Sequence, residues 1–204
     1  MVERDLAGRG IKDKRVLEAM GRIPREDYVW DVDREEAYVD HPLRIGSGQT
    51  ISQPYMVALM TEELALAGDE KVLEIGSGSG YQTAVLAELA AEVHTVERIR
   101  ELSDYAEGKL RDHGYGNVRT HVADGTLGLP EQAPFDRIMV TAGAPEVPEA
   151  LKEQLGEGGR LVIPVGPGSG QTLLTITRNG DAFRTKRGIP CIFVKLRGGQ
   201  GWPE

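Results

Sequence analysis

Lys71-Val72-Leu73-Glu74-Ile75-Gly76-Ser77-Gly78-Ser79-Gly80-Tyr81 is an apolar strand that runs into a glycine-rich turn, with a helical pattern resuming at Tyr81. Strand, bare turn and helix in that order describe the opening unit of a nucleotide-binding α/β sheet. A dinucleotide fingerprint reads G-x-G-x-x-G, whereas here the third glycine comes one residue early. Outward from this turn, strand and helix alternate. The pattern predicts strands at 92–96, 118–123, 135–140 and 160–165, with helices over 81–89, 102–113 and 147–155. Such alternation predicts a mostly parallel sheet with helices on both faces. After Gly170, the segments 173–177, 182–186 and 192–196, with the turn signal Asn179-Gly180, predict antiparallel strands at the sheet edge.

The turn's full spacing, E-x-G-x-G-x-G, is the form found in enzymes that bind S-adenosylmethionine. That ligand has no pyrophosphate. Backbone made bare at Gly76, Gly78 and Gly80 can approach it closely, with Ser77 between them, and Glu74 could face its ammonium group. Two more acids fall where such a site needs them. Glu97 ends the next strand, about 20 residues past the turn, where an acid accepts hydrogen bonds from both ribose hydroxyls. Asp124 follows a further strand, where its carboxylate can accept from the adenine amino group while Gly125 lets the chain turn tightly. Singly, each acid reads equally well as a cap or an exposed turn; together, and in this order, they point to an S-adenosylmethionine site.

The chain has 204 residues, enough for one domain with a sizeable core. We expect a single methyltransferase domain over 1–204, with an N-terminal helix, arm and acceptor segment (1–70), a cofactor-binding core (71–166) and C-terminal antiparallel strands (167–204). Net charge is −8 with pI near 5.1, which argues against a surface built to neutralise nucleic-acid phosphates. No apolar run reaches membrane-span length, and Glu3, Arg4 and Asp5 interrupt any signal-peptide core, so a cytoplasmic protein is expected. The one cysteine, Cys191, excludes an internal disulfide and reads as a small apolar residue by the last strand. His41, His94, His113 and His121 show no metal-ligand spacing, and no metal is expected.

Ahead of the cofactor turn, residues 12–20 predict a short amphipathic helix closed by Gly21 and Pro24. Residues 25–50 read as an extended arm or irregular cap. Pro54 suits the first turn of a second helix, whose apolar positions Met56, Leu59, Met60 and Leu64 follow. Between arm and helix lies Gly46-Ser47-Gly48-Gln49-Thr50-Ile51-Ser52-Gln53-Pro54. This run resembles the protein-L-isoaspartate (D-aspartate) O-methyltransferases, in which Thr-Ile-Ser-x-Pro is far more specific than the glycine turn. The resemblance extends over nearly the whole chain. It includes Pro24-Arg25 with Tyr28-Val29, Val122-Ala123-Asp124-Gly125, Phe135-Asp136, Gly158 to Gly166, and Phe193-Val194 with Gly201-Trp202. One departure is visible at Phe193-Val194-Lys195-Leu196, where the family usually has proline in place of Lys195.

The resemblance implies methyl transfer from S-adenosylmethionine, leaving S-adenosylhomocysteine. The acceptor is the free α-carboxylate of L-isoaspartyl residues in damaged proteins and peptides, with some D-aspartyl sites also accepted. It assigns Ser52 as the active-site serine and Thr50, Ile51 and Gln53 as its substrate-binding neighbours. A carboxylate is ionised at pH 7 and needs no general base, which fits the absence of an evident catalytic His or Cys. Ser52 would orient it, aided by the N–H groups and partial positive charge of the adjacent helix start. The plain alternative makes Ser52 and Thr50 helix caps. Thr141-Ala142-Gly143-Ala144 reads equally as an acceptor wall or a plain loop, and Tyr81 as a packing or a ligand-facing residue. The partners expected are isoaspartyl polypeptides, with no nucleic acid or membrane, and the enzyme is expected to act as a monomer. Other methyltransferases would share the cofactor turn, and a noncatalytic cofactor-binding module is separated from an enzyme only by turnover.

Overall fold

The computed structural model describes residues 1–203, with Asp31 and Val32 by backbone alone; Glu204, the end of the expected domain, lies outside the described residues. Strand β3 (Lys71–Ile75) carries the glycine turn at its carboxyl end and sits near the middle of a seven-stranded sheet. β4 (Glu92–Glu97) pairs parallel on one side of it, followed by β5 (Val118–Val122). β6 (Phe135–Val140) pairs parallel on the other side, followed by β7 (Leu155–Val165). Two antiparallel strands, β8 (Gln171–Asn179) and β9 (Ala182–Cys191), complete that flank. The chain thus builds outward from β3 to the β5 edge and then restarts on the far side of β3. At such a switch point the loops leaving neighbouring strands diverge, opening a crevice at the strands' carboxyl ends.

Helices lie on both faces, unequally. α1 (Lys14–Arg22), α2 (Pro54–Leu64), α3 (Tyr81–Ala87) and α4 (Arg100–Asp112) bury their apolar sides in one core cluster with Val72, Val93, Met139 and Val162 of the sheet. The other face, with Leu73, Ile75, Ile138 and Leu161, is covered by the five-residue α5 (Glu149–Glu153) and by short 3-10 turns at Gly125–Leu127 and Pro130–Gln132. No helix among the described residues is long and apolar enough to cross a membrane.

Several elements differ from the pattern in the sequence. α1 starts at Lys14, capped by the Asp13 carboxylate on Arg15 N–H, and passes through Gly21. It stops at Arg22 because Ile23, preceding Pro24, is pushed to an extended conformation. Of the two readings of the 25–50 segment, the irregular cap forms and the extended arm does not. It forms 3-10 turns at Arg25–Tyr28 and Asp31–Glu36, then a small hairpin of β1 (Leu43–Arg44) and β2 (Thr50–Ile51), with Arg25, Tyr28 and Ile45 fully buried. The helix expected at 147–155 shrinks to α5, because Leu155 onward joins β7.

The last expected strand, 192–196, is also corrected: β9 ends at Cys191, and the following chain crosses to Gly143, just past β6. There Gly143 N–H donates to Val194 O (2.7 Å) and Leu196 N–H to Gly143 O (2.9 Å). The Asn179-Gly180 turn forms as expected, with Asn179 opposite Ala182 and Gly180 at φ 60°.

Ile138 is fully buried on β6 between β3 and β7. Ile138→Ala is expected to cost about 2–5 kcal/mol, the range for emptying a packed core site, read as a lowered denaturation midpoint at unchanged slope.

Candidate active site

The crevice at the switch point holds a cavity of about 380 Å³, lined on the turn side by Ile75, Gly76, Gly78, Glu97 and Gly125. Its opposite wall is Thr141, Ala142 and the crossing segment from Val194 to Arg197. Gly76 sits at φ 97°, and a Cβ there would meet the Thr141 hydroxyl oxygen at 2.4 Å. That hydroxyl is already committed, lying 3.0 Å from Ile75 O and 2.7 Å from Gly76 O as their donor. Only glycine permits this contact, which brings the ends of β3 and β6 together as the cleft floor. Gly80, at φ 89°, starts α3 against Ala106 and does not line the cavity.

Glu97 is placed as the sequence suggests. One carboxylate oxygen accepts from Gly78 N–H (3.1 Å) and the other from Ile99 N–H (3.0 Å), so the acid is pinned at the cleft beneath the glycine turn. Each oxygen retains a lone pair for a ribose hydroxyl. Asp124 is placed differently: one oxygen accepts from the Thr126 N–H and hydroxyl, and the other from Gly199 N–H (2.7 Å). Burial opposes its ionisation, but these donors outweigh it and hold the carboxyl below the usual range. The carboxylate therefore clasps the C-terminal loop, and Gly125 is the residue of that pair that lines the cavity.

Glu74 does not reach the cleft. It is fully buried under α3, with one oxygen accepting from the hydroxyls of Thr83 (2.5 Å) and Thr95 (2.6 Å) and the other without a partner among the described residues. Alternation along β3 is the reason: Ile75 faces the cleft side, so its neighbour must face α3. Burial raises the carboxyl, the two threonine hydroxyls oppose it, and the result is about 7. Ser77 lies just behind the turn in a 30 Å³ gap shared with Ile51, Ser52 and Tyr81.

A second cavity of about 220 Å³ opens beside the first and shares Thr50, Thr141 and Val194 with it. Ser52, Gln53, Tyr55, Met56, Arg9 and residues 189–193 complete its wall. Ser52 is not the cap of α2. The N-cap is Gln53, which makes no side-chain cap bond, and the Ser52 hydroxyl has no hydrogen bond within the described residues. The helix start is also less open than expected. Tyr55 N–H donates to Asp40 (2.8 Å), while Met56 and Val57 N–H both donate to Gln53 O, so its backbone donors are taken.

Asp40 also accepts from Gln53 Nε2 (3.0 Å) and pairs with Arg9, whose guanidinium lies 3.7 Å from the Tyr55 ring centre. Arg9 and residues 189–191 had no signal in the sequence, because they reach the site only through the fold, whereas Phe193-Val194 is part of the family resemblance. Cys191 is half-buried in this second wall, its thiol pushed up to about 11 by burial. Of the run Thr141-Ala142-Gly143-Ala144, Thr141 lines both cavities and Ala142 the larger of the two, while Gly143 and Ala144 line neither.

A family model described as Protein-L-isoaspartate(D-aspartate) O-methyltransferase (PCMT) matches residues 1–201. The chain is 58% identical over 205 residues to Protein-L-isoaspartate O-methyltransferase 2 of Marinobacter nauticus, covering 100% of this chain and 94% of the relative. It is 55% identical over 203 residues to Protein-L-isoaspartate O-methyltransferase of Geobacter metallireducens, covering 99% and 94%. Among solved structures it is similar to a protein-L-isoaspartate O-methyltransferase at 30% identity and TM-score 0.87, covering 98% of this chain and 67% of that one. It is also similar to a Plasmodium falciparum beta-aspartate methyltransferase (PCMT) in complex with S-adenosyl-L-homocysteine, at 29% identity and TM-score 0.83, covering 96% of each.

Glu97→Ala is expected to weaken S-adenosylmethionine binding by about 1.5–3 kcal/mol, roughly 10- to 100-fold in Kd by calorimetry, the range for a charge-assisted hydrogen bond. Glu74 gives a pH signature instead. With the folded carboxyl near 7 against an ordinary 4.5, the parent loses stability as pH rises from 4.5 through 7. Glu74→Gln lacks that loss. Its stability relative to the parent should climb over the same window by about 3 kcal/mol and then level off, measured by urea melts from pH 4 to 9.

Proposed function

Because the chain belongs to the protein-L-isoaspartate(D-aspartate) O-methyltransferase family, we infer that it transfers the methyl group of S-adenosylmethionine to the free α-carboxylate of L-isoaspartyl residues in proteins and peptides. The observation that carries the reading is the junction of two cavities at Thr50, Thr141 and Val194, with Ser52 on the acceptor side and Glu97 on the cofactor side. The ester so formed favours succinimide closure, and hydrolysis of the succinimide returns part of the pool to normal aspartate; the reaction therefore starts a repair. D-aspartyl β-carboxylates are the second acceptor, in keeping with the family's description.

The larger cavity fits the cofactor, since bare backbone at Gly76 and Gly78 lines it and Glu97 stands with spare acceptor capacity. Bound there, S-adenosylmethionine supplies an electrophilic methyl group on a sulfonium. The chain's own contribution is placement. The Ser52 hydroxyl, free of internal bonds, donates to one oxygen of the incoming carboxylate and turns the other toward the shared wall. The half-buried Phe193 and Val194 keep water from the acceptor side. No proton need be removed, because the nucleophile is already ionised.

Thr50, Ile51 and Gln53 hold the acceptor segment, Ile51 through the core and Gln53 through Asp40. Gly76, Ser77, Gly78, Gly80 and Gly125 shape the cofactor side, and Asp124 serves it by fastening the loop at Gly199. We read the chain as one methyltransferase domain acting as a cytoplasmic monomer on flexible polypeptide segments and not on nucleic acid, a reading that the net charge of −8 supports.

Labelled methyl transfer to two peptides differing only in isoaspartyl against aspartyl linkage tests the activity. Incorporation into the isoaspartyl peptide alone, released by mild base, is expected; label in neither peptide despite cofactor binding would overturn the reading. Ser52→Ala should lower kcat/KM by about 10- to 100-fold with cofactor Kd unchanged.

A further inference from the structure

Arg25 is fully buried, yet among the described residues no carboxylate lies within ion-pair distance of it, Asp40 favouring its charge only from further off. Charged side chains are almost never fully buried unless paired, because desolvation is expensive. What replaces a counter-ion here is specific. Nε donates to Ala37 O (2.7 Å), Nη2 donates to Ser52 O (2.8 Å), and the guanidinium carbon lies 4.8 Å from the centre of the Tyr81 ring. Nη1 has no partner among the described residues.

The three contacts come from three parts of the chain. Ala37 closes the 3-10 turn at Asp31–Glu36, Ser52 lies within the acceptor segment, and Tyr81 is the first residue of α3, next to Gly80 of the glycine turn. Tyr81 is itself immobilised, 1% exposed and edge-on to Tyr28 at 5.6 Å. One rigid, planar cation therefore joins the peptide group of Ser52 to the helix that begins at the cofactor turn. A second link, Gln82 Nε2 to Thr61 Oγ1 (3.0 Å), ties α3 to α2 further from the site and does not touch Ser52.

We propose that Arg25 is a positioning residue for methyl transfer, setting the orientation of Ser52 relative to the glycine turn through its bond to the Ser52 carbonyl. In-line displacement needs the carboxylate oxygen and the methyl carbon about 3–3.5 Å apart and aligned, and an error of about 1 Å can cost about 100-fold. Ser52 holds the carboxylate and the glycine turn holds the donor, so whatever fixes one against the other fixes that distance. A neutral apolar side chain would fill this space at less desolvation cost, but it could not grip two carbonyls at once. This role rests on the isoaspartyl methyltransferase reading.

The test is steady-state kinetics of the whole enzyme with an isoaspartyl peptide, on the parent, Arg25→Lys, Arg25→Gln, Ser52→Ala and Arg25→Lys/Ser52→Ala. Both single Arg25 variants are expected to lose about 30- to 100-fold in kcat, with cofactor Kd within about twofold of the parent. In the Ser52→Ala background, Arg25→Lys is expected to cost less than about threefold more, because the group it positions is gone. A merely structural arginine would lower the melting temperature but leave kcat per folded enzyme unchanged and add independently to Ser52→Ala; that result overturns the proposal. So does failure of both single variants to fold, which assigns Arg25 to stability alone. An inactive parent would overturn the isoaspartyl reading itself, and is distinguished from these outcomes by needing no variant.

Discussion

The close approach of Gly76 to Thr141 governs the architecture of this site. Neighbouring parallel strands ordinarily release their loops apart at a switch point. Here Thr141, past the end of β6, donates its N–H to Ile75 O (3.0 Å), the last carbonyl of β3, and its hydroxyl lies 2.7 Å from Gly76 O in the turn. The contact satisfies a turn carbonyl where the sheet ladder ends, and it draws the two loops into one floor. Both cavities rest on that floor, since Thr141 lines each of them. A side chain at position 76 would occupy the space of the hydroxyl, so the bareness of the turn serves the fold as well as the ligand.

Buried polar groups occur on both faces of the sheet. The face bearing Leu73, Ile75, Ile138 and Leu161 is held mainly by apolar contact, with His94 packed on Phe135 and Gln154 bonded to Leu129 N–H and Leu127 O. The face under α3 contains Glu74 with its two threonine donors, and Arg25 with its two carbonyls lies against Tyr81 of the same helix. Such groups stabilise poorly for their desolvation cost, but they are directional, and direction is what an alignment-driven reaction requires. The acceptor segment illustrates this. Its helix has no side-chain cap of its own, and Asp40, from well upstream, takes that place while neutralising Arg9. The Ser52 hydroxyl has no hydrogen-bond partner among the described residues, and the backbone around it is fastened by other residues.

The 25–50 segment shows why part of this was hidden in the sequence. Its alternating charges, glycines and single aromatics look like a solvated arm, since no periodicity of 2 or 3.6 runs through it. Tyr28 and Arg25 are nonetheless buried, against Tyr81 and His113 from elements more than fifty residues away. The same applies to 192–196, whose apolar residues suggest a strand but whose hydrogen bonds go to Gly143 and to the Gln171 side chain. Glu74 was misplaced for a simpler reason. It adjoins the turn in sequence, but successive residues of a strand point to opposite faces.

The acceptor segment Thr50 to Gln53 rested on the family resemblance, whereas local pattern was sufficient for the αβ alternation, the glycine turn, the acid at Glu97 and the hairpin at Asn179-Gly180. Each of these is a short-range property: a φ that only glycine tolerates, a strand that must alternate, a turn that must close. The tertiary structure alone decided that Glu74 faces α3, that Asp124 fastens the C-terminal loop, that Arg9 and residues 189–191 help enclose the acceptor pocket, and that Arg25 joins Ser52 to Tyr81. Those are long-range contacts between segments whose own sequences carry no periodic signal. They exist because packing the core brings distant backbone groups to one place, where a buried donor or acceptor must find a partner.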